Sequence, residues 1–247
     1  MGKVLHFKSI LATLVAMALL LLNGREIAGA ALQNAAALRL LAPWQEVMAD
    51  PSALLSCLPG GTGPAADAPM EAVLRLRPEA GSAWLLQGRS AWLAGRCSEA
   101  REAWQKAVVL APQNQAAWLL YLLSGPPDLM PEPAIAEGVA NYLDFLGDRA
   151  RSAERWEEAL RWYEQAFSLA PDVSTASRLE AVYLKLERKE EAVARWEELA
   201  AHLPPADPGH WWALGKAAEL SGDWERAALF YGEGARRSDS RFRKRAT

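Results

Sequence analysis

The sequence predicts an all-α protein, a solenoid of helix-turn-helix repeats preceded by an N-terminal apolar helix. The first observation is the stretch from His210 to Ala235, which has the pattern of two amphipathic helices joined by a turn at Ser221 to Asp223. Small residues fall where two close helices leave no room, and bulky residues fall where space must be filled. This is a packing pattern without catalytic residues, so the stretch predicts a structural unit.

The second observation is that looser copies of this unit occur upstream. Three small residues at one repeat position, Ala159, Ala192 and Ala227, are 33 and 35 residues apart. We place repeats at 81–114, 140–172, 173–206 and 207–235, with a partial copy at 115–139. In that partial copy, prolines 126, 127, 131 and 133 predict a loop from Ser124 to Glu132 and a new helix from Pro133.

Each full repeat combines bulky, small and aromatic positions in the same order, and the first three close on a proline. The residues at these positions are Trp84, Gly88, Ala100, Trp104 and Pro112; Leu143, Gly147, Ala159, Tyr163 and Pro171; Leu179, Tyr183, Ala192, Trp196 and Pro204; and Trp211, Gly215, Ala227 and Tyr231. This order resembles the tetratricopeptide repeat family, whose unit is a helix-turn-helix of about 34 residues. The resemblance covers Gly81 to Ala235 and implies a protein-binding scaffold, with neither enzymatic activity nor a cofactor.

The resemblance also implies where a partner would bind, because the inner groove of such arrays is lined by first-helix positions. The inner residues expected to contact a protein ligand are Arg89, Trp92, Asp148, Arg151, Trp212 and Lys216. The family's clamp of lysines and asparagines around a C-terminal carboxylate is not matched, since no asparagine occupies an inner position.

The last repeat predicts an uncapped end. Its second helix, expected from Asp223 to Ala235, leads into a basic tail without a capping helix, so Leu229, Phe230 and Tyr231 should be partly exposed. We expect a partner, or the protein's own N-terminal helices, to cover this end. The tail, residues 236–247, carries Arg236, Arg237, Arg241, Arg243, Lys244 and Arg245 against Asp239.

The charge distribution argues against nucleic acid as a ligand. The tail is +5, so the rest of the chain is −3 − 5 = −8, whereas nucleic-acid binders concentrate basic charge on the body of the domain. The tail could contact acidic lipid, an acidic polymer or an acidic protein surface, or it could only keep the terminus soluble.

Residues 1–30 predict a targeting segment. Ser9 to Leu22 is uninterrupted and apolar, about 21 Å long as a helix, and counting from Val4 gives about 28 Å against a bilayer core of about 30 Å. A single-pass membrane anchor is one interpretation. The other is a cleaved signal peptide with a cleavage site at Ala28 to Ala30. Because Lys3 and Lys8 precede the segment, both interpretations place the repeats outside the cytoplasm, either anchored or released as a secreted or periplasmic protein.

Residues 31–80 predict an irregular connector. We expect a helix from Ile27 to Ala42 stopped by Pro43, a short helical piece at Pro51 to Leu58, a loop from Pro59 to Pro69, and a last helical turn or two at Met70 to Arg77. The glycines at 60, 61 and 63 are not a phosphate-binding loop, because no Gly-Lys-Ser/Thr follows and no strand precedes them.

The chain has two cysteines, Cys57 and Cys97. In an exported protein they could form a disulfide, although a small buried thiol at Cys97 would also suit the repeat. The histidines lack companions for a metal site. The glutamate-rich runs at 154–158 and 187–191 are typical of solvated helix starts.

These observations favour a membrane-anchored, extracytoplasmic scaffold that serves as an accessory or assembly subunit of a larger membrane or envelope complex. The alternative function is a glycan-binding module, because the chain has 11 tryptophans and exposed ones could stack on sugar rings.

Overall fold

The computed structural model describes residues 24–45 and 67–245, with side chains through residue 238. Within these ranges the regular structure is α-helical. The helices are α1 (24–45), α2 (Asp67–Leu76), α3 (Gly81–Leu93), α4 (Cys97–Leu110), α5 (Gln115–Leu123), α6 (Pro133–Ser152), α7 (Trp156–Leu169), α8 (Val173–Lys185), α9 (Lys189–His202), α10 (Pro208–Ser221) and α11 (Trp224–Arg245). They form two compact units, one ending at Pro131 and the other beginning at Glu132.

Helix α1 packs against α2 and α3 in the first unit. Ala36 and Leu40 are buried in a cluster with Met70, Val73 and Ala83. Pro43 does not stop α1 as expected, because the helix continues to residue 45. A proline in the last turn removes one backbone hydrogen bond. Here the burial of Trp44 stabilises that turn.

The start of α2, at the C-terminal end of the predicted connector, also differs from the prediction. Helix α2 begins at Asp67, so Pro69 is helical and not the end of a loop. Proline is tolerated in a first helical turn because the amide hydrogens there have no partner within the helix. The predicted helical piece at Pro51 to Leu58 and the glycine cluster lie outside the described residues. The described residues contain no helix long and apolar enough to cross a membrane, and the apolar segment before residue 23 is not among them.

The partial repeat is interrupted as predicted. Helix α5 ends at Leu123 and α6 begins at Pro133. The intervening loop is held by Arg101, whose guanidinium donates to Ser124 Oγ at 3.2 Å and to the Tyr121 carbonyl at 3.3 Å. A loop organised by one arginine therefore stands where the second helix of this repeat would be.

In the second unit, two of the three helix pairs, α6 with α7 and α10 with α11, are closed by an aromatic ring packed on a glycine. A Cβ atom added at Gly147 would lie 2.4 Å from Tyr163 Cε1, and one added at Gly215 would lie 2.3 Å from Tyr231 Cε1. The three alanines that defined the repeat spacing, Ala159, Ala192 and Ala227, are at most 3% exposed. The packing interpretation of the repeat is confirmed at these positions.

The turns inside the repeats share one backbone feature. Gly95 and Gly222 have φ angles of 71° and 85°, and the non-glycine residues Glu154 and Glu187 have φ angles of 59° and 60° in the equivalent turns. The left-handed conformation is unfavourable for a residue with a Cβ atom. The two glutamates therefore store strain in turns that elsewhere use glycine.

Replacing Glu154 by glycine should raise the free energy of unfolding by about 1 kcal/mol, because glycine adopts the left-handed conformation without a steric penalty. The matched control is Gly222→Ala, since a Cβ atom there meets nothing within 4 Å and only the φ angle is perturbed. The free energy of unfolding of this control should fall by a similar amount. Urea unfolding followed by circular dichroism measures both. A lower unfolding midpoint for Glu154→Gly would contradict the strain argument.

Helix α11 is longer than predicted. It does not end at Ala235 but continues through Arg236 and Arg237 to Arg245, so the basic tail is largely helical. No proline follows Ala235, and Glu233 forms ion pairs with Arg236 and Arg237 at helical spacing. These local interactions extend the helix beyond the repeat.

Candidate interaction surfaces

The inner face of the first repeat is covered by the chain's own helix α1. Trp44 is 8% exposed and lies over Arg89, whose guanidinium carbon is 4.9 Å from the ring centroid. The ring of Trp44 also meets the ring of Trp92 edge-on, with centroids 6.1 Å apart. Burial lowers the pKa of Arg89. Two predicted ligand contacts, Arg89 and Trp92, are therefore already occupied by an intramolecular partner, which their local sequence does not reveal.

In the second unit, an acidic pair lies between α6 and α8. Asp144 accepts a hydrogen bond from Thr175 Oγ1 at 2.8 Å and one from Arg178 Nη1 at 3.1 Å. Arg178 Nε also lies 3.4 Å from Asp148. Burial raises the pKa of Asp144, and the bonds from Thr175 and Arg178 act against that rise.

The predicted groove residues Asp148 and Arg151 lie together on α6 and form an ion pair at 3.2 Å. Asp148 also accepts a hydrogen bond from the Tyr163 hydroxyl at 2.7 Å. Burial and this bond raise the pKa of Tyr163. Both carboxylates of the α6 inner face thus have partners within the unit, although Asp144 Oδ1 is buried without a hydrogen-bond partner.

The predicted inner-face residue Lys216 is similarly neutralised. Lys216 Nζ lies 2.9 Å from Glu180, which also accepts a hydrogen bond from Trp196 Nε1 at 2.7 Å. Glu180 precedes Trp196 by 16 residues, the spacing of Gly147 to Tyr163, so it replaces the glycine of the other repeats. Sequence reasoning missed Glu180 and Arg178, although the 16-residue spacing was available as a signal for Glu180.

An apolar cleft lies at the end of this inner face. Its volume is about 370 Å³, and Trp212, 49% exposed, contributes an aromatic wall. The Trp212 and Tyr231 ring centroids are 5.2 Å apart. The remaining lining residues are Val173, Pro208, Gly209, Gly234, Ala235 and Ser238.

Other tryptophans have structural roles. Trp84, Trp118 and Trp211 share one repeat position, and each donates its indole N–H to the carbonyl of the proline six residues earlier, at 2.7 Å. Trp104 and Trp196 are at most 1% exposed. The packing interpretation of the repeat holds for these five tryptophans, whereas Trp224, which shares a third repeat position with Trp156 and is also expected to pack, is 68% exposed.

At the C-terminal end, all three residues predicted to be partly exposed have exposed surface, but to different degrees. Leu229 is 58% exposed. Phe230 is partly buried and packs against Trp211, with centroids 6.1 Å apart. Tyr231 is partly buried against Gly215. The difference arises because Leu229 points away from α10 while its two neighbours turn toward it.

Two predicted chemical sites fall partly outside the described residues. Cys97 is disulfide-bonded, and Cys57, the other cysteine of the chain, is not described, so their pairing stays a prediction. His202 and His210 hydrogen-bond backbone carbonyls at 2.9 and 2.8 Å. The part of the chain that is described contains no group of three or more histidine, cysteine, aspartate or glutamate residues placed to hold a metal ion. The side chains of Arg241, Arg243, Lys244 and Arg245 are not described.

Comparison with family models matches residues 64–122 and 182–241 to the tetratricopeptide repeat. The match supports the family assignment of the repeats. No curated protein matches.

Among solved structures, the chain is similar to BtubC (BKLC) from P. vanneervenii, with 15% identity over 86% of this chain and 92% of that chain and a TM-score of 0.34. It is similar to pilF of Pseudomonas aeruginosa, with 14% identity over 84% and 90% and a TM-score of 0.34. It is also similar to a thermophilic TPR protein of Thermus thermophilus, with 18% identity over 73% and 86% and a TM-score of 0.30.

Proposed function

We propose that this chain, whose repeats match the tetratricopeptide repeat, is a membrane-anchored, extracytoplasmic scaffold that serves as an accessory or assembly subunit of a larger envelope complex. Proteins built from these repeats generally mediate protein–protein interaction and are typically not enzymes. The membrane anchor and membership of a larger complex are more specific than protein binding in general. The anchor is supported by the apolar segment before residue 23, and membership of a complex is supported by the exposed cleft beside Trp212 in the second unit.

The observation that carries the binding function is the cleft beside Trp212. Trp212 leaves 49% of its surface exposed at the mouth of an apolar cleft, and a ligand that covers it would remove this apolar surface from water. Tryptophan is also enriched among residues that dominate binding energy at interfaces. The cleft accommodates an apolar side chain of a partner protein.

The charges around the cleft favour a partner that binds mainly through apolar contact. Lys216 is paired with Glu180, and Arg151 and Arg178 are paired with Asp148. A ligand that needed these charges would first have to break ion pairs that are partly buried. Recognition by Trp212 requires no such rearrangement.

The extracytoplasmic location is supported by two independent features. Cys97 is disulfide-bonded, and disulfides persist in oxidising compartments. The basic residues Lys3 and Lys8 precede the apolar N-terminal segment, which favours export of the repeats on its C-terminal side.

Replacing Trp212 by alanine should lower recovery of the companion proteins that co-purify with the full chain in mild detergent at least tenfold, because the anchor of the cleft is lost. The matched control is Phe145→Ala, an aromatic residue on α6 that is 52% exposed and does not line the cleft. The control should retain the wild-type recovery. Equal recovery by wild type and Trp212→Ala, measured by quantitative mass spectrometry, would overturn the proposal.

The exposed Trp212 also gives the glycan-binding alternative a specific form, since a tryptophan face at a cleft can stack on a sugar ring. Under this alternative, wild-type protein would be recovered as a free monomer without companions, and soluble glycans would quench a tryptophan signal that the Trp212→Ala variant lacks.

A further inference from the structure

Helix α11 has an exposed face that no other helix of the second unit covers. Trp224 is 68% exposed, and Ala228 and Ala235, four and eleven residues later, are exposed on the same side of the helix. Gly232 borders this stripe, and a Cβ atom added there would meet nothing within 4 Å. The stripe therefore combines one large aromatic ring with small residues that allow close approach.

At the Ala235 position this face is covered in the preceding second helices, whereas at the Trp224 position the equivalent Lys189 of α9 is exposed. By the alanine spacing of the repeats, Ala235 corresponds to Phe167 of α7 and Ala200 of α9, which are 1% and 2% exposed. In those helices the following first helix packs on this face, α8 on α7 and α10 on α9. Each following helix runs antiparallel to the helix before it, as a short turn requires. The surface left open on α11 therefore has the shape of a site for an antiparallel helix.

The charges of α11 indicate which helix would fit. Its N-terminal end carries Asp223, which precedes the first turn, and Glu225 against Arg226, a net charge of −1. Its C-terminal end carries Arg236 and Arg237 against Glu233, a net charge of +1 among the described side chains. The sequence beyond residue 238 adds four basic residues and Asp239, a further net charge of +3. A second α11 laid antiparallel would place the basic end of each helix beside the acidic end of the other.

We propose that two copies of this chain associate through α11, packed antiparallel about a two-fold axis. A symmetric contact uses the same patch on both copies, so one surface must be complementary to itself. The α11 stripe meets that condition because small residues occupy its middle and opposite charges occupy its two ends. At 22 residues, α11 is about 33 Å long, which provides a contact line longer than that of the 13- and 14-residue helices α8 and α10.

The proposal goes beyond the scaffold function, because it concerns a second copy of the chain on α11, although Ala235 of the stripe also lines the Trp212 cleft. The test measures the dimer dissociation constant of the full chain in detergent by sedimentation velocity. The single variants Glu225→Arg and Arg236→Glu should each raise the dissociation constant at least fivefold, since each places like charges opposite one another. The double variant should return to within twofold of wild type. Residues 225 and 236 lie about 16 Å apart along one helix, so restoration by the double variant requires contact between copies.

Two further variants separate this contact from other sources of association. Ala228→Arg places a long charged side chain on the stripe and should yield monomer. Arg226→Glu is the control, because residue 226 lies on the other side of α11 and should leave the dimer unchanged. The proposal is overturned if the wild-type chain is monomeric at all concentrations, or if a dimer still forms in the Ala228→Arg variant. It is also overturned if the double variant has a dissociation constant no lower than those of the single variants. A monomer whose stripe is bound by a helix of another protein would overturn it as well. The Trp212→Ala comparison is read separately, as recovery of companion proteins and not as the dissociation constant of the dimer.

Discussion

Replacing Gly147 by alanine is expected to lower the free energy of unfolding by about 2 kcal/mol. The new Cβ atom would lie 2.4 Å from Cε1 and 2.6 Å from Cδ1 of Tyr163, well inside contact distance. Tyr163 is 0% exposed and its hydroxyl is bound to Asp148, so the ring cannot move without losing that hydrogen bond. Overpacking of this kind typically costs about 1–3 kcal/mol. The cost outweighs the gain of up to about 1 kcal/mol that alanine brings to a helix interior.

The matched control is Gly232→Ala in α11, where the added Cβ atom meets nothing within 4 Å. Only the helix propensity changes there, so the free energy of unfolding should stay equal or rise by up to about 1 kcal/mol. Chemical unfolding followed by circular dichroism compares the two variants. The packing argument fails if Gly147→Ala is as stable as Gly232→Ala.

Reduction of the Cys97 disulfide is expected to lower the free energy of unfolding by about 4 kcal/mol. Pairing with Cys57 would close a loop of about 40 residues, for which the chain-entropy model gives about this value. Titration of the denatured, unreduced protein should find no free thiol, and reduction should release two. Unfolding with and without reductant then measures the loss of stability.

The control for reduction is Cys97→Ser, which should be destabilised in the same way and should not respond further to reductant. Two reactive thiols in the denatured, unreduced protein would exclude the bridge. The same result would remove one of the two supports for an extracytoplasmic location.

The local helical signals of the sequence were sufficient to predict several elements. The proline run from Pro126 to Pro133 predicted the loop and the start of α6, because a proline cannot donate the backbone hydrogen bond of a helix interior but is suited to its first turn. The glycine and aromatic positions predicted the contact between Gly215 and Tyr231. These features depend on residues within one helix pair, so their spacing in the chain specifies them.

The inner-face chemistry was predicted only in part. Asp148 and Lys216 form ion pairs with Arg178 and Glu180 of α8, and these pairs link different helices, whereas Arg151 pairs with Asp148 within α6. Trp92 was expected to face a ligand and instead meets Trp44, which is 48 residues earlier in the chain. Contacts over such separations depend on how helices stack, and no local pattern reports them.

The sequence by itself determined the repeat, since helix periodicity, turn residues and the placement of small beside large side chains act within about 34 residues. Only the tertiary structure decided which surfaces remain open. It covers Arg89 with Trp44, neutralises Lys216 with Glu180, and leaves Trp212 and the Trp224 face exposed. The physical reason is that the exposure of a side chain depends on which helices pack against it. A residue becomes a binding site when no helix from elsewhere in the chain packs over it.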